Sequence, residues 1–228
     1  VVELTIALHR VFDSPRDAII WDVSHQCYAH KLLTGRYGAF SSIRQYGGLS
    51  GFTKKSESEH DFFDSGHAST SISSALGLLT AWDMLKTGGK VVAIIGDGAL
   101  TGGLAFEALS NAGQLAKNLI VIVNDNQMSI DQNTGAISSY LSRLTMTSSY
   151  QSIRRAIDFV IGRIPLLNSF LTKFVFRFKR GLKGLLLSNN LFVDLGFEYA
   201  GPLNGHDERE LETVLGRVKT MNRQIGRA

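Results

Sequence analysis

Two uninterrupted apolar runs constrain this chain more than any other feature: Val91-Val92-Ala93-Ile94-Ile95 and Leu119-Ile120-Val121-Ile122-Val123. Neither alternates apolar with polar residues, so neither leaves a face for water. Both read as strands buried on two sides, the pattern of a parallel sheet covered by helices on both faces. Each run ends in a polar turn, Gly96-Asp97-Gly98 after the first and Asn124-Asp125-Asn126 after the second. The stretch from Gly103 to about Leu115 reads as a helix between them. Asp97 and Asn126 are about 30 positions apart, the length of one βαβ unit. A right-handed crossover would set the two turns side by side at the carboxyl ends of neighbouring strands, where open α/β sheets bind ligands.

The rest of the chain fits an α/β domain. Val1, Leu4, Leu8 and Val11 have helical spacing, and Pro15 is expected to end that helix near Asp13-Ser14. Ala18-Ile19-Ile20-Trp21 reads as a further buried strand ending at Asp22. Residues 37–63, rich in Gly, Ser and charge, read as a long loop with short helical pieces, which in a compact domain is usually functional or mobile. A helix is expected from Ser71 to about Lys86, stopped by Gly88-Gly89. Phe197-Glu198-Tyr199-Ala200 reads as a strand, and a helix from Glu208 to about Lys219 should open with a capping box, Asp207 with Glu210.

At 228 residues the chain suits one large domain. Its 44% hydrophobic and 19% charged residues exclude global disorder, and a net charge of +4 is too modest to indicate nucleic-acid binding. The single cysteine, Cys27, cannot form an intrachain disulfide and reads as a buried thiol in a reducing compartment. No apolar run approaches the roughly 20 residues that span a bilayer, so a cytoplasmic protein is expected. Between Arg154 and Lys183 eight basic residues face one acid, Asp158. Residues 138–190 are therefore expected to form a mobile basic segment, for which membrane binding is the less demanded reading.

The chemistry lies in the two polar turns. Asp97 offers a carboxylate, Asn126 an amide oxygen, and a backbone carbonyl beyond it, at Met128, a third hard donor. Such a set suits Mg²⁺ shared with phosphate oxygens. Gly98 would let the backbone approach a phosphate, and the helix beginning near Gly103 presents unpaired N–H groups. Either turn alone is an ordinary loop signal. A dinucleotide-binding unit is the nearest competitor, but Gly96-Asp97-Gly98-Ala99-Leu100-Thr101 lacks its last glycine. His67, just before a long helix, and His25, just past a strand end, are candidates to meet an anionic ligand. His30 reads instead as a surface or hydrogen-bonding residue, and His206, beside a capping aspartate, as a turn-fixing one.

Gly96-Asp97-Gly98 through Asn126 resembles the signature shared by thiamin diphosphate enzymes. The resemblance narrows at Asp22-Val23-Ser24-His25-Gln26-Cys27-Tyr28-Ala29-His30-Lys31, Gly66-His67-Ala68-Ser69-Thr70-Ser71-Ile72-Ser73, Asn124-Asp125-Asn126-Gln127-Met128-Ser129-Ile130 and Gly201-Pro202-Leu203-Asn204-Gly205-His206-Asp207. Together these are similar to the 1-deoxy-D-xylulose-5-phosphate synthases, over nearly the whole chain. The resemblance implies a thiamin diphosphate-binding α/β fold and condensation of pyruvate with D-glyceraldehyde 3-phosphate, with loss of CO₂. It also implies thiamin diphosphate and Mg²⁺ as cofactors. Asp97, Asn126 and the Met128 carbonyl become metal ligands; Gly66, His67, Ala68, Gly98, Ala99 and Asn126 become cofactor contacts. His25 would face both cofactor and donor substrate, and His25 and His67 become the catalytic candidates.

The family's pattern also implies a pyrimidine-binding domain and a C-terminal domain, which do not fit after Ala228, and an earlier Gly-His segment. The expectation is one diphosphate-binding domain over 1–228, truncated at both ends relative to the family and inactive in isolation. A homodimer, or a complementary pyrimidine-binding chain, would complete it. Two other readings compete with it: the N-terminal subunit of a split transketolase, and a non-catalytic remnant whose basic segment associates with membrane or subunits.

Overall fold

A computed structural model describes residues 1–115, 117–125 and 191–221. The segment 138–190, with its basic run, lies outside the described residues. Among the described residues three parallel strands form a sheet: β1 (Ala18–Trp21), β2 (Val91–Gly96) and β3 (Leu119–Asn124), in the order β1-β2-β3. Ala18 pairs with Val91 and Trp21 with Ile94 on one side of β2; Val91 pairs with Leu119 and Gly96 with Asn124 on the other.

Although the apolar runs do not alternate in polarity, their side chains still alternate in direction, and each set has its own helical layer. Ala18, Ile20, Val91, Ala93, Ile95 and Leu119 pack against α3 (Ser71–Leu85) and, beyond the short α4 (Asp97–Leu100), α5 (Gly103–Leu115). Ile72, Ala75, Leu76 and Leu79 contribute from the first helix and Ala105, Ala108, Leu109 and Ala112 from the second. These two crossover helices share a face, as connections of one hand moving in one direction across a sheet must. The opposite set, Ile19, Trp21, Val92, Ile94 and Ile120, is covered by α1 (Val2–Val11) and by the last described helix, Glu208–Thr220. Leu4, Ala7 and Leu8 from the first, and Leu211 and Leu215 from the second, close that layer.

The element between β1 and α3 begins with α2 (Tyr28–Lys31), a kink at Thr34-Gly35, where Gly35 takes φ 87°, and a 3-10 stretch over Tyr37–Ser42. After β2 comes α4 (Asp97–Leu100), a single turn of helix in place of the plain tight turn expected at Gly96-Asp97-Gly98. Late in the chain follow α6 (Leu191–Asp194) and α7 (Glu208–Thr220).

Three other expectations are corrected. The helix α3 ends at about Lys86 as expected, but its stop is Lys86 itself and not the glycine pair: Lys86 takes the left-handed conformation at φ 54°, and its N–H reaches back to the Trp82 and Asp83 carbonyls. Residues 197–200 join no strand ladder among the described residues. Phe197 is buried in the first core, Tyr199 stacks on Phe192 with ring centroids 6.1 Å apart, and a cleft lined by Val121, Val123, Phe197 and Tyr199 opens between this segment and β3. Side-chain anchoring gives the same alternation as a strand without the ladder. Finally, the capping box is half made. Asp207 Oδ1 accepts the Glu210 N–H at 3.0 Å, but the Glu210 carboxylate turns to the Asn204 N–H at 3.5 Å, and Asp207 N–H donates to the Asn204 carbonyl.

The layer of α1 and α7 is also tied by charge. Arg10 meets Glu208 at 3.3 Å and Glu212 at 2.6 Å, and Lys219 meets Asp17 at 2.9 Å and the Val11 carbonyl at 2.8 Å. His206 fixes its turn through its N–H to Asn204 Oδ1 and also reaches Glu3 at 3.1 Å. Gly113 marks a close approach on the other face, since a Cβ there would overlap the Leu195 carbonyl.

Candidate active site

The parallel ladder carries the argument for the site. Because Gly96 is paired with Asn124, the chain leaves β2 and β3 at the same level, and Asp97 and Asp125 follow as adjacent departures from the sheet. Both are half-buried. Asn126 and Met128, the other expected metal ligands, lie outside the described residues. Asp97 is the one expected ligand whose place is described, and it stands where the spacing of the two turns requires.

The segment Gly66-His67-Ala68 reaches the same end of the sheet by a different route. The β1 strand ends in Asp22, which is buried, and its carboxylate accepts the Ser69 N–H at 2.8 Å on Oδ1 and the Ser71 N–H at 3.0 Å on Oδ2. Ser71 is the first residue of α3 and Ser69 lies just before its N-cap, so the start of that helix is held by a side chain 47 to 49 positions earlier in sequence. Ser65 Oγ donates to the Trp21 carbonyl at 3.0 Å, a second tie to β1. Ser69 Oγ then donates to the Ala99 carbonyl at 2.7 Å, joining this loop to α4. Gly102 lies so close to Ser69 that any Cβ there would strike its hydroxyl.

These ties leave the expected contact residues facing outward. Gly66, His67, Ala68 and Gly98 are exposed, Ala99 is half-buried, and His25 is exposed on the turn after β1, where the Cys27 N–H meets the Ser24 carbonyl at 3.0 Å. Residues 66–68 and 97–99 are thereby brought together, through Asp22 and Ser69, and His25 follows the neighbouring strand end. A polar surface built from three strand ends, with the carboxylates of Asp97 and Asp125 and the exposed backbone of residues 66–68 and 98, is of a kind that can take a metal-bridged phosphate group.

Sequence reasoning missed the layer beneath. His30 is fully buried, and its Nε2 meets Asp61 Oδ1 at 3.0 Å while its Nδ1 meets His9 Nε2 at 2.9 Å. Arg36 grips the same carboxylate with two nitrogens, at 2.5 Å and 3.0 Å, and the Lys54 N–H adds a third donor at 2.8 Å. Burial alone would raise the Asp61 carboxyl, but the donors from His30, Arg36 and Lys54 overcome it and hold the group well below the usual carboxylate range. Since the carboxylate only accepts, His30 must donate from Nε2 and accept at Nδ1, which assigns the donating proton of that pair to His9 Nε2.

Beside this network Lys31 is buried against Glu57 at 2.5 Å, and the other Glu57 oxygen accepts the Ser50 N–H. Cys27 is a buried thiol, as expected, pushed up to about 11 by desolvation. The 37–63 loop is therefore pinned by buried ion pairs. The available signal was the placement of Lys31 and Arg36 before the loop and of Glu57 and Asp61, four positions apart, near its end.

Comparison with known proteins decides the family. The family model for 1-deoxy-D-xylulose-5-phosphate synthase matches residues 1–225. The chain belongs to the 1-deoxy-D-xylulose-5-phosphate synthase family. It is 53% identical over 225 residues to the synthase of Syntrophomonas wolfei, covering 99% of this chain and 35% of that protein. It is 52% identical over 223 residues to the synthase of Treponema pallidum, covering 98% of this chain and 35% of that one. The chain thus spans about a third of the length of these synthases. Solved structures agree on the fold: a transketolase from Leishmania mexicana, with TM-score 0.61, 22% identity and 92% of this chain covered against 27% of its own. A transketolase variant from Pichia stipitis gives TM-score 0.60 at 16% identity, covering 99% of this chain and 30% of that one. At such identities the likeness is one of fold. Among the described residues no helix is long and apolar enough to cross a membrane.

Proposed function

We propose that this chain is the diphosphate-binding portion of a 1-deoxy-D-xylulose-5-phosphate synthase, which condenses pyruvate with D-glyceraldehyde 3-phosphate and releases CO₂. The observation that carries the reading is the Gly96–Asn124 register, which sets Asp97 beside the turn that leads to Asn126. Thiamin diphosphate, when bound, would supply the electron sink for decarboxylation. The chain's own work is to hold it. Asp97, Asn126 and the Met128 carbonyl would ligate Mg²⁺, and that ion would neutralise the diphosphate. Gly66, His67, Ala68, Gly98 and Ala99 would approach the cofactor through accessible backbone and side chains. The exposed imidazoles of His25 and His67 would face the cofactor and the donor substrate, where a ring nitrogen can hold or release a proton.

A pyrimidine-binding portion, from a second copy or a complementary chain, would supply the glutamate that activates the cofactor. The isolated chain, in this reading a cytoplasmic protein's first catalytic half, is expected to turn over no pyruvate. The test mixes it with a separately made pyrimidine-binding portion and follows CO₂ release and Mg²⁺-dependent binding of thiamin diphosphate. Both should appear on mixing and vanish for Asp97→Asn, which keeps the side chain's size but loses its charge. Turnover by the purified chain alone, or full binding by Asp97→Asn, would refute the reading.

A further inference from the structure

Asp22 and Ser69 are absent from the expected cofactor contacts, yet they make the bonds that join the two segments that are present. Asp22 is buried and spends both carboxylate oxygens on backbone N–H groups of residues 69 and 71. Ser69 is held at φ 70°, a left-handed conformation unfavourable to a residue with a Cβ. In that conformation its hydroxyl reaches the Ala99 carbonyl at 2.7 Å. The Gly102 backbone fills the space behind that hydroxyl. A strained residue whose side chain bridges two loops is a reason to look for a role beyond stability.

We propose that Asp22 and Ser69 are positioning residues: they lock the 66–68 segment to the 98–99 segment at the separation needed to grip the diphosphate from two sides. The proposal rests on the functional reading above and deepens it. Asp22 fixes where α3 begins and therefore where Gly66-His67-Ala68 ends. Ser69 transmits that position to Ala99, in the segment that follows the ligand Asp97. Neither side chain touches the cofactor in this account. Each acts through a backbone group of the loop that would.

The decisive variant is Ser69→Gly, because it removes the hydroxyl while relieving the positive φ. A merely structural Ser69 would then leave cofactor binding unchanged. A positioning Ser69 predicts an apparent melting temperature equal to or above that of the parent, together with a weaker Kd for thiamin diphosphate. Loss of an outer-shell partner of a metal site typically weakens binding about 10- to 100-fold. Gly102→Ala should give the same loss in the parent by displacing the hydroxyl, and should add nothing in the Ser69→Gly background, where no hydroxyl remains to displace. Asp22→Asn, which presents an amide N–H₂ to one of two N–H donors, should weaken binding and lower the melting temperature together.

All measurements use the chain assembled with a pyrimidine-binding portion, titrated with thiamin diphosphate in Mg²⁺. If Ser69→Gly and Gly102→Ala bind as the parent does while Asp97→Asn does not, the positioning role is overturned and the functional reading stands. If the parent itself fails to bind, the functional reading falls and the positioning role falls with it.

Discussion

His9 Nε2 stands 2.9 Å from His30 Nδ1, and the line continues through the His30 ring to the carboxylate of Asp61. Burial, with repulsion from His30 and His60 added to it, pushes His9 down to about 4. Burial lowers His30 as well, against the pull of Asp61. Both imidazoles are therefore neutral in the folded chain near pH 7, and the unfolded chain takes up protons first as pH falls.

The consequence is a stability loss in a defined window. An unperturbed histidine titrates near about 6.5, so the contribution of His9 is complete above that pH and lost as pH falls toward 4. His9→Gln should flatten part of the decline in melting temperature across this interval. Asp61, whose carboxyl is depressed, loses its contribution only as pH drops beneath the ordinary carboxylate range. Thermal denaturation of parent and variant at closely spaced pH values checks this; identical slopes between pH 6.5 and 4 would remove His9 from the account.

Breaking the ion pair beneath the loop should be costly. Asp61→Asn leaves the Arg36 guanidinium buried without its carboxylate, and loss of one partner of a buried pair costs about 3–5 kcal/mol. Urea unfolding of the variant should show that loss as a lower midpoint. A shift comparable to that of a surface substitution would mean that water reaches Arg36.

Gly113 offers a test in which two effects oppose. Alanine is favoured over glycine in a helix by about 1 kcal/mol. A Cβ at this position would nevertheless overlap the Leu195 carbonyl, and overpacking costs about 1–3 kcal/mol. Gly113→Ala is expected to melt lower than the parent. A higher melting temperature would place the 195–197 segment farther from α5.

The start of α7 separates one cap from a reciprocal pair. Asp207→Ala should cost about 1 kcal/mol by releasing the Glu210 N–H. Glu210→Gln should change stability little, because its carboxylate does not return to the Asp207 N–H. Chemical denaturation of both variants decides the matter; equal losses would restore the full box.

The strands were legible because runs such as Val91 to Ile95 have no polar residue to spend on solvent, and the position of Asp97 at the end of β2 was legible for the same reason. The end of α3 near Lys86 was legible but its device was not, because Lys86 takes the left-handed conformation that composition assigns to the glycines after it. Phe197 and Tyr199 misled for a different reason: alternate residues turn inward in a strand and equally in a segment anchored by its rings. Asp22 was visible as a strand end, but nothing in its sequence neighbourhood says which N–H groups it will accept 47 positions later. Long-range polar pairing of this kind, like the Lys31 and Arg36 partners, has no periodicity to betray it.

The α1 and α7 layer has a consequence for how the molecule is made. Arg10 and Glu212 are 202 positions apart, yet their helices jointly roof the side of the sheet bearing Val92, Ile94 and Ile120. During vectorial synthesis the α3 and α5 side can gain its last buried members once Phe192 and Phe197 emerge, whereas the other stays partly open to water until translation reaches the 208–220 helix. Chaperone capture of nascent chains should accordingly persist well after the loops at the strand ends have been made, and end only when that late helix emerges.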